Sequence, residues 1–144
     1  MSDKMTRRAF HRTALGVAAA CVLPACGDGS SATLPMSGGL VTLSFASFPQ
    51  LAAAGGSVTV DVEGSFPIVV VRTSASAAAA TSAVCTHVGC VMNYESSTND
   101  IYCPCHRARF ALDTGKVLDG PTDIPLPVYT ATVNTDSIVV DISH

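Results

Sequence analysis

Two short segments hold most of the chain's capacity to bind a metal. "VCTHVGC" (84–90) contains Cys85, His87 and Cys90; "CPCHRARF" (103–110) contains Cys103, Cys105 and His106. Cys85-x-His87 and Cys103-x-x-His106 are ligand pairs, with fifteen residues between His87 and Cys103. Each pair is spaced so that two side chains can reach one metal from a single tight loop. Thiolate and imidazole suit zinc and iron–sulfur centres alike. Spacing alone leaves a structural Cys2His2 zinc site open beside a redox centre. Cys90 and Cys105 stand one beside each pair and are surplus to a four-ligand site.

The segments that must position these loops read as β-structure. "LVTLSF" (40–45), "SVTVDV" (57–62) and "FPIVVVRT" (66–73) are β-branched runs separated by Gly, Ser or Pro. "PVYTATV" (127–133) and "SIVVDIS" (137–143) flank the polar turn "NTD", a hairpin signal. Residues 77–80 are all alanine and helical by propensity, but the run is too short for a stable helix. It leads directly into 81–84 and the first cysteine, so its end is expected to be a strand. No repeat and no long amphipathic helix interrupts this pattern. At 144 residues, 48% hydrophobic but rich in alanine and without Trp, the chain supports one small domain. Its modest core calls for a covalent or metal staple.

Charge is unevenly placed. Lys4, Arg7, Arg8 and Arg12 supply half of the eight basic residues. From Cys26 onward four basic residues (Arg72, Arg107, Arg109, Lys116) face ten acidic ones, which argues against a nucleic-acid partner. The basic start, with its twin arginine, precedes a short apolar run (14–23) that has about half the ~20 residues a membrane-crossing helix needs. Thr6-Arg7-Arg8-Ala9-Phe10 resembles the twin-arginine export signal, although His11 stands where a Leu is common. "LPAC" (23–26) resembles a bacterial lipobox, which makes Cys26 a lipidation candidate; ordinary cleavage near Ala25 is the alternative. Residues 1–26 are therefore expected to be a signal peptide, 27–38 a flexible linker, and 39–144 the domain. The mature protein is expected to be exported to the periplasm, anchored by lipid if Cys26 is acylated, where disulfides persist.

"CTHVGC" and "CPCH" closely resemble the two boxes of Rieske [2Fe–2S] proteins, and Gly89 and Pro104 also fit. "GPTDIPL" (120–126), with Pro121, resembles the proline-bearing loop that covers the cluster in that family. The resemblance spans roughly 39–144. It implies an all-β Rieske fold, an antiparallel β sandwich with a small cluster-binding subdomain. It also implies one [2Fe–2S] cluster, with Cys85 and Cys103 on one iron, His87 and His106 on the other, and Cys90 disulfide-bonded to Cys105. Exchanging two thiolates for neutral histidines raises the potential above that of all-Cys clusters. The free ring nitrogens also let electron transfer couple to proton transfer.

The second box departs from its high-potential relatives. In those of cytochrome bc complexes it continues with Gly-Ser and later a Tyr, whose hydroxyls donate to cluster sulfurs. Here Arg107 replaces the Gly, and Ala108 and Phe110 cannot donate. A charge-assisted hydrogen bond contributes ~1.5–3 kcal/mol. A partly exposed arginine about 8 Å away contributes about 1 kcal/mol at an effective dielectric of ~40. The lost bonds are expected to outweigh Arg107 and Arg109. That sets the potential below the quinol oxidisers and above all-Cys ferredoxins.

The resemblance implies a one-electron carrier, not itself an enzyme, docking by its histidine edge. The implied partner is a c-type cytochrome or a larger oxidoreductase subunit, with Arg107 and Arg109 presenting positive charge to an acidic patch. The alternative is a small Rieske subunit, as in arsenite oxidase or a cytochrome bc complex. A Rieske oxygenase would need a second, mononuclear iron site, for which no residues remain. A zinc-stabilised binding module is the third reading.

Overall fold

The computed structural model describes residues 32–143. The expected signal peptide, including Cys26, lies outside the described residues. Among the described residues, twelve strands form an eight-stranded and a four-stranded sheet. No helix among the described residues is long and apolar enough to cross a membrane.

The large sheet contains β1 (Thr33–Leu34), β2 (Met36–Ser37), β3 (Leu40–Ser44), β4 (Ser57–Val62), β5 (Ile68–Arg72), β6 (Ala78–Ser82), β11 (Val128–Val133) and β12 (Ser137–Asp141). Their order is β1-β4-β5-β6-β11-β12-β3-β2. The two edge strands, β1 and β2, are separated in sequence by Pro35 alone, so the sheet's edges must meet. The sheet rolls into a barrel, a way of removing exposed edges. Proline suits this junction because it has no N–H to contribute to either ladder. Residues 33–37, expected to be flexible linker, are therefore part of the sheet. They pair with Asp61 and Val62 on one side and with Leu40 and Val41 on the other.

The smaller sheet has the order β10-β9-β8-β7, from β7 (Asn93–Glu95), β8 (Asp100–Tyr102), β9 (Arg109–Ala111) and β10 (Val117–Asp119). Strand β5 joins the two cores. Ile68 and Val70 pack among Val41, Leu43, Val60, Ile138 and Val140 in the barrel. Val69 and Val71 pack with Met92, Ile101, Phe110 and Leu112. Burial on both faces explains why this run is continuously apolar, whereas β3, elsewhere in the same sheet, alternates exposed and buried residues.

The alanine run becomes strand β6 because β5 and β11 hydrogen-bond it from both sides. Ala79 packs against the small-sheet core and Ala80 enters the barrel. Tertiary pairing overrides the local helix propensity. The expected hairpin is present, with β11 and β12 in antiparallel register from Thr130↔Asp141 to Val133↔Ile138. One buried cation stiffens the barrel end. Arg72 donates to the carbonyls of Leu51, Ser74 and Ala75 and lies over the Phe45 ring at 5.1 Å.

Candidate metal centre

Both cysteine–histidine segments are connections between antiparallel segments. Residues 85–90 link the end of β6 to β7, closed below by the Val84↔Val91 bridge and by Met92 N donating to Ala83 O. Residues 103–108 link β8 to β9. Because β7 and β8 are adjacent, the two loops emerge side by side at one end of the small sheet.

They share one backbone scheme. Cys85 N donates to Cys90 O at 2.9 Å, and Gly89 N donates to Cys85 O at 2.8 Å. In the second loop Cys103 N donates to Ala108 O at 2.9 Å, and Arg107 N donates to Cys103 O at 3.0 Å. Each loop therefore holds its leading cysteine between the same two bonds. Gly89 and Arg107, four residues after each cysteine, both adopt left-handed backbone, with φ of +75° and +61°.

The side chains separate by type. Cys85 and Cys103 are free thiols and buried; His87 and His106 are exposed, their rings edge to face at 4.6 Å between centroids. Burial pushes the Cys85 thiol above its ordinary range. The N–H groups of His87 and Val88 act on the same sulfur in the opposite direction, and the neighbouring Cys103 thiol adds to the rise. Cys90 and Cys105 form a disulfide, with Sγ–Sγ 2.08 Å and Cα–Cα 6.5 Å. Cys103 Sγ lies within 4.8 Å of both disulfide sulfurs. Those two sulfurs are bonded to each other, so this trio is not a ligand set.

A third segment braces the loops. Thr86 Oγ1 donates to Ile124 O at 2.7 Å and lies 3.3 Å from Thr122 Oγ1, which accepts from Ile124 N at 3.2 Å. Gly120, at φ +116°, is pressed so closely on the second loop that a Cβ there would meet Ala108 Cα at 2.6 Å. The 120–126 segment thus touches both loops, with Pro121 itself exposed. Pro121 is the residue expected from the resemblance to act here, but the contacts to the loops run through Thr86, Thr122, Ile124 and Gly120.

The two arginines of the second box differ. Arg109 was expected to present positive charge beside Arg107; instead its Nη1 pairs with Asp100 at 2.7 Å and donates to Thr98 Oγ1 at 2.8 Å. Its guanidinium lies 4.7 Å from the Tyr102 ring centre, and the Asp100 bond raises its pKa further. The cause is register. Tyr102 faces Arg109 across β8–β9, with Asp100 two residues along. Arg107 is exposed, and its side chain makes no hydrogen bond or ion pair among the described residues. Ala108 and Phe110 are fully buried.

Fold and loops together define a small all-β domain with two buried thiols backing two exposed imidazoles, a donor set suited to a redox metal centre. The chain matches the Rieske [2Fe-2S] domain family over residues 45–130, more than half of its length. It belongs to that family, whose cofactor is a [2Fe–2S] cluster, and this decides between the zinc and iron–sulfur readings. Two adjacent thiols and two imidazoles, with N–H groups acting on a sulfur, fit that cluster.

The chain is similar to the cytochrome b6-f complex iron-sulfur subunit of Chlorobaculum thiosulfatiphilum, 43% identical over 72 residues that cover 50% of this chain and 39% of the relative. The Synechococcus elongatus subunit is 44% identical over 59 residues, 41% of this chain and 32% of the relative. The chain thus spans well under half the length of the curated relatives it matches. Among solved structures, the ferredoxin of carbazole 1,9a-dioxygenase from Nocardioides aromaticivorans IC177 superposes with TM-score 0.52 at 28% identity, covering 60% of this chain and 85% of that one. The Sphingomonas yanoikuyae B1 ferredoxin gives 0.53 at 25% identity, with 64% and 92% covered.

Proposed function

We propose that this chain carries single electrons between redox proteins, with His87 and His106 as the edge through which it docks. The observation behind this reading is the polarity of the site: both thiols face the protein interior and both imidazoles face solvent. In this assignment Cys85 and Cys103 hold one iron, and His87 and His106 hold the other. The bound [2Fe–2S] cluster supplies a one-electron couple. Cys90–Cys105 ties the two loops together, and the Thr86 hydroxyl fixes the first loop against the 120–126 segment. The implied export would place the domain in the periplasm, with Cys26 available for lipid anchoring.

The b6-f relatives favour a second form of the same reading, in which the chain is the Rieske subunit of a membrane-bound redox complex. Both forms share the same electron-transfer step and differ in whether the partner is permanent.

Ala108 and Phe110 bring no hydroxyl to the site, and pairing with Asp100 removes most of Arg109's contribution. Hydrogen bonds to the cluster sulfurs are a main determinant of potential. Protein-film voltammetry of the loaded domain should show a single one-electron wave, below the potential of quinol-oxidising relatives and above that of all-Cys ferredoxins. Ala108→Ser with Phe110→Tyr should raise it, at about 60 mV for each ~1.4 kcal/mol of added stabilisation of the reduced state. A wild-type potential equal to that of the quinol oxidisers contradicts the hydrogen-bond argument.

A further inference from the structure

Arg107 occupies a backbone conformation that does not suit it. At φ +61° the Cβ of an L-residue crowds the following carbonyl, and glycine fits without that penalty. The equivalent position of the first loop is Gly89. The bond from Arg107 N to Cys103 O at 3.0 Å is part of the shared loop scheme, so the backbone cannot relax without dismantling the loop. The arginine side chain recovers nothing inside the molecule. It is exposed and has no ion-pair or hydrogen-bond partner among the described residues.

The other cations among residues 32–143 are placed differently. Arg72 is buried and bound to three carbonyls, and Arg109 is paired with Asp100. Lys116 lies in the β9–β10 turn, at the end of the small sheet away from the two loops. Arg107 is therefore the unpaired cation at the loop end, directly after His106, on a domain with nine acidic residues against four basic ones in 32–143. Exposed Val88 and Ile124 flank the same end, 61% and 62% accessible.

We infer that Arg107 is a partner-recognition residue: it binds a carboxylate on the surface of the redox protein that docks at the His87–His106 edge. This rests on the electron-carrier reading above. The charge distribution favours an acidic partner surface. The domain is acidic, with Asp119 and Asp123 exposed beside and within the same bracing segment, so Arg107 is the point at that end where an acidic surface finds attraction. One cation on an acidic body thereby selects an orientation as well as a partner.

Small oxidants of opposite charge test this on the loaded protein. Stopped-flow oxidation is followed with ferricyanide, an anion, and with tris(phenanthroline)cobalt(III), a cation. Arg107→Glu should slow ferricyanide on the order of tenfold at low salt and accelerate the cobalt complex, with both effects fading at high ionic strength. Lys116→Gln should change neither rate. Arg107→Gly should lose the ferricyanide advantage while raising the melting temperature, a combination that a purely structural arginine would not give. Equal rates for wild type and Arg107→Glu with both reagents overturn the recognition role and leave the carrier reading intact. A lower melting temperature for Arg107→Gly overturns the claim that the position is held for its side chain. Failure of both reagents to oxidise the reduced wild type overturns the carrier reading itself.

Discussion

The loops at 85–90 and 103–108 share one pair of backbone hydrogen bonds but are held from outside by different forces. Polar bonds hold the first: Thr86 reaches the Ile124 carbonyl and the Thr122 hydroxyl. Steric contact holds the second: Gly120 lies directly against Ala108. At their matching left-handed positions the first uses Gly89 and the second Arg107, where a non-glycine residue costs about 1–2 kcal/mol. The first loop is thus relaxed and latched, and the second is strained and wedged. A site with two unlike halves can be perturbed one half at a time.

The disulfide is the element common to both loops, and removing it should have the largest effect. Its cysteines are 15 residues apart, so the Cys90→Ala/Cys105→Ala protein should lose about 3 kcal/mol of stability in denaturant titrations. It should also release its cluster faster. Unchanged stability would mean that the loops are already fixed by 120–126 and the sheet below.

Gly120→Ala comes next. The added Cβ would meet Ala108 Cα at 2.6 Å, and the overpacking should cost about 1–3 kcal/mol. NMR shifts in the diamagnetic cluster-free protein should move at 103–108 more than at 85–90. Shifts of equal size in both loops would erase the distinction drawn between them.

Thr86→Val should have the smallest effect, about 1 kcal/mol for the lost hydroxyl bonds, with shifts confined mainly to 85–90 and 120–126. If Thr86→Val disturbs the second loop as strongly as Gly120→Ala does, the two braces are one mechanical unit.

The metal chemistry was legible in the sequence because it resides in residue types at fixed local spacing. Cys85, His87, Cys103 and His106 stand out from order alone, and the pairing of Cys90 with Cys105, implied by the resemblance, is present in the structure. The strands were legible where side chains alternate, and the Ala78–Ser82 strand where context outweighed propensity. Barrel closure was not, because it depends on β1 and β2 reaching opposite edges around Pro35. The Arg109–Asp100 pair was hidden for a related reason: only the β8–β9 register brings the two residues together. The Thr86 latch spans 38 residues to Ile124, so nothing local announces it. The sequence thus carried the donor set more openly than the contacts that aim it.

In the proposed assignment, two histidines and two cysteines from these loops hold a one-electron cluster. Pulsed EPR of the dithionite-reduced protein, labelled with 15N-histidine, tests it most directly. The expected result is a paramagnetic signal coupled to two histidine nitrogens, with one coupling lost on His87→Cys and the other on His106→Cys in whatever loaded protein survives. A reduced protein with no signal, or with one free of histidine coupling, would contradict it.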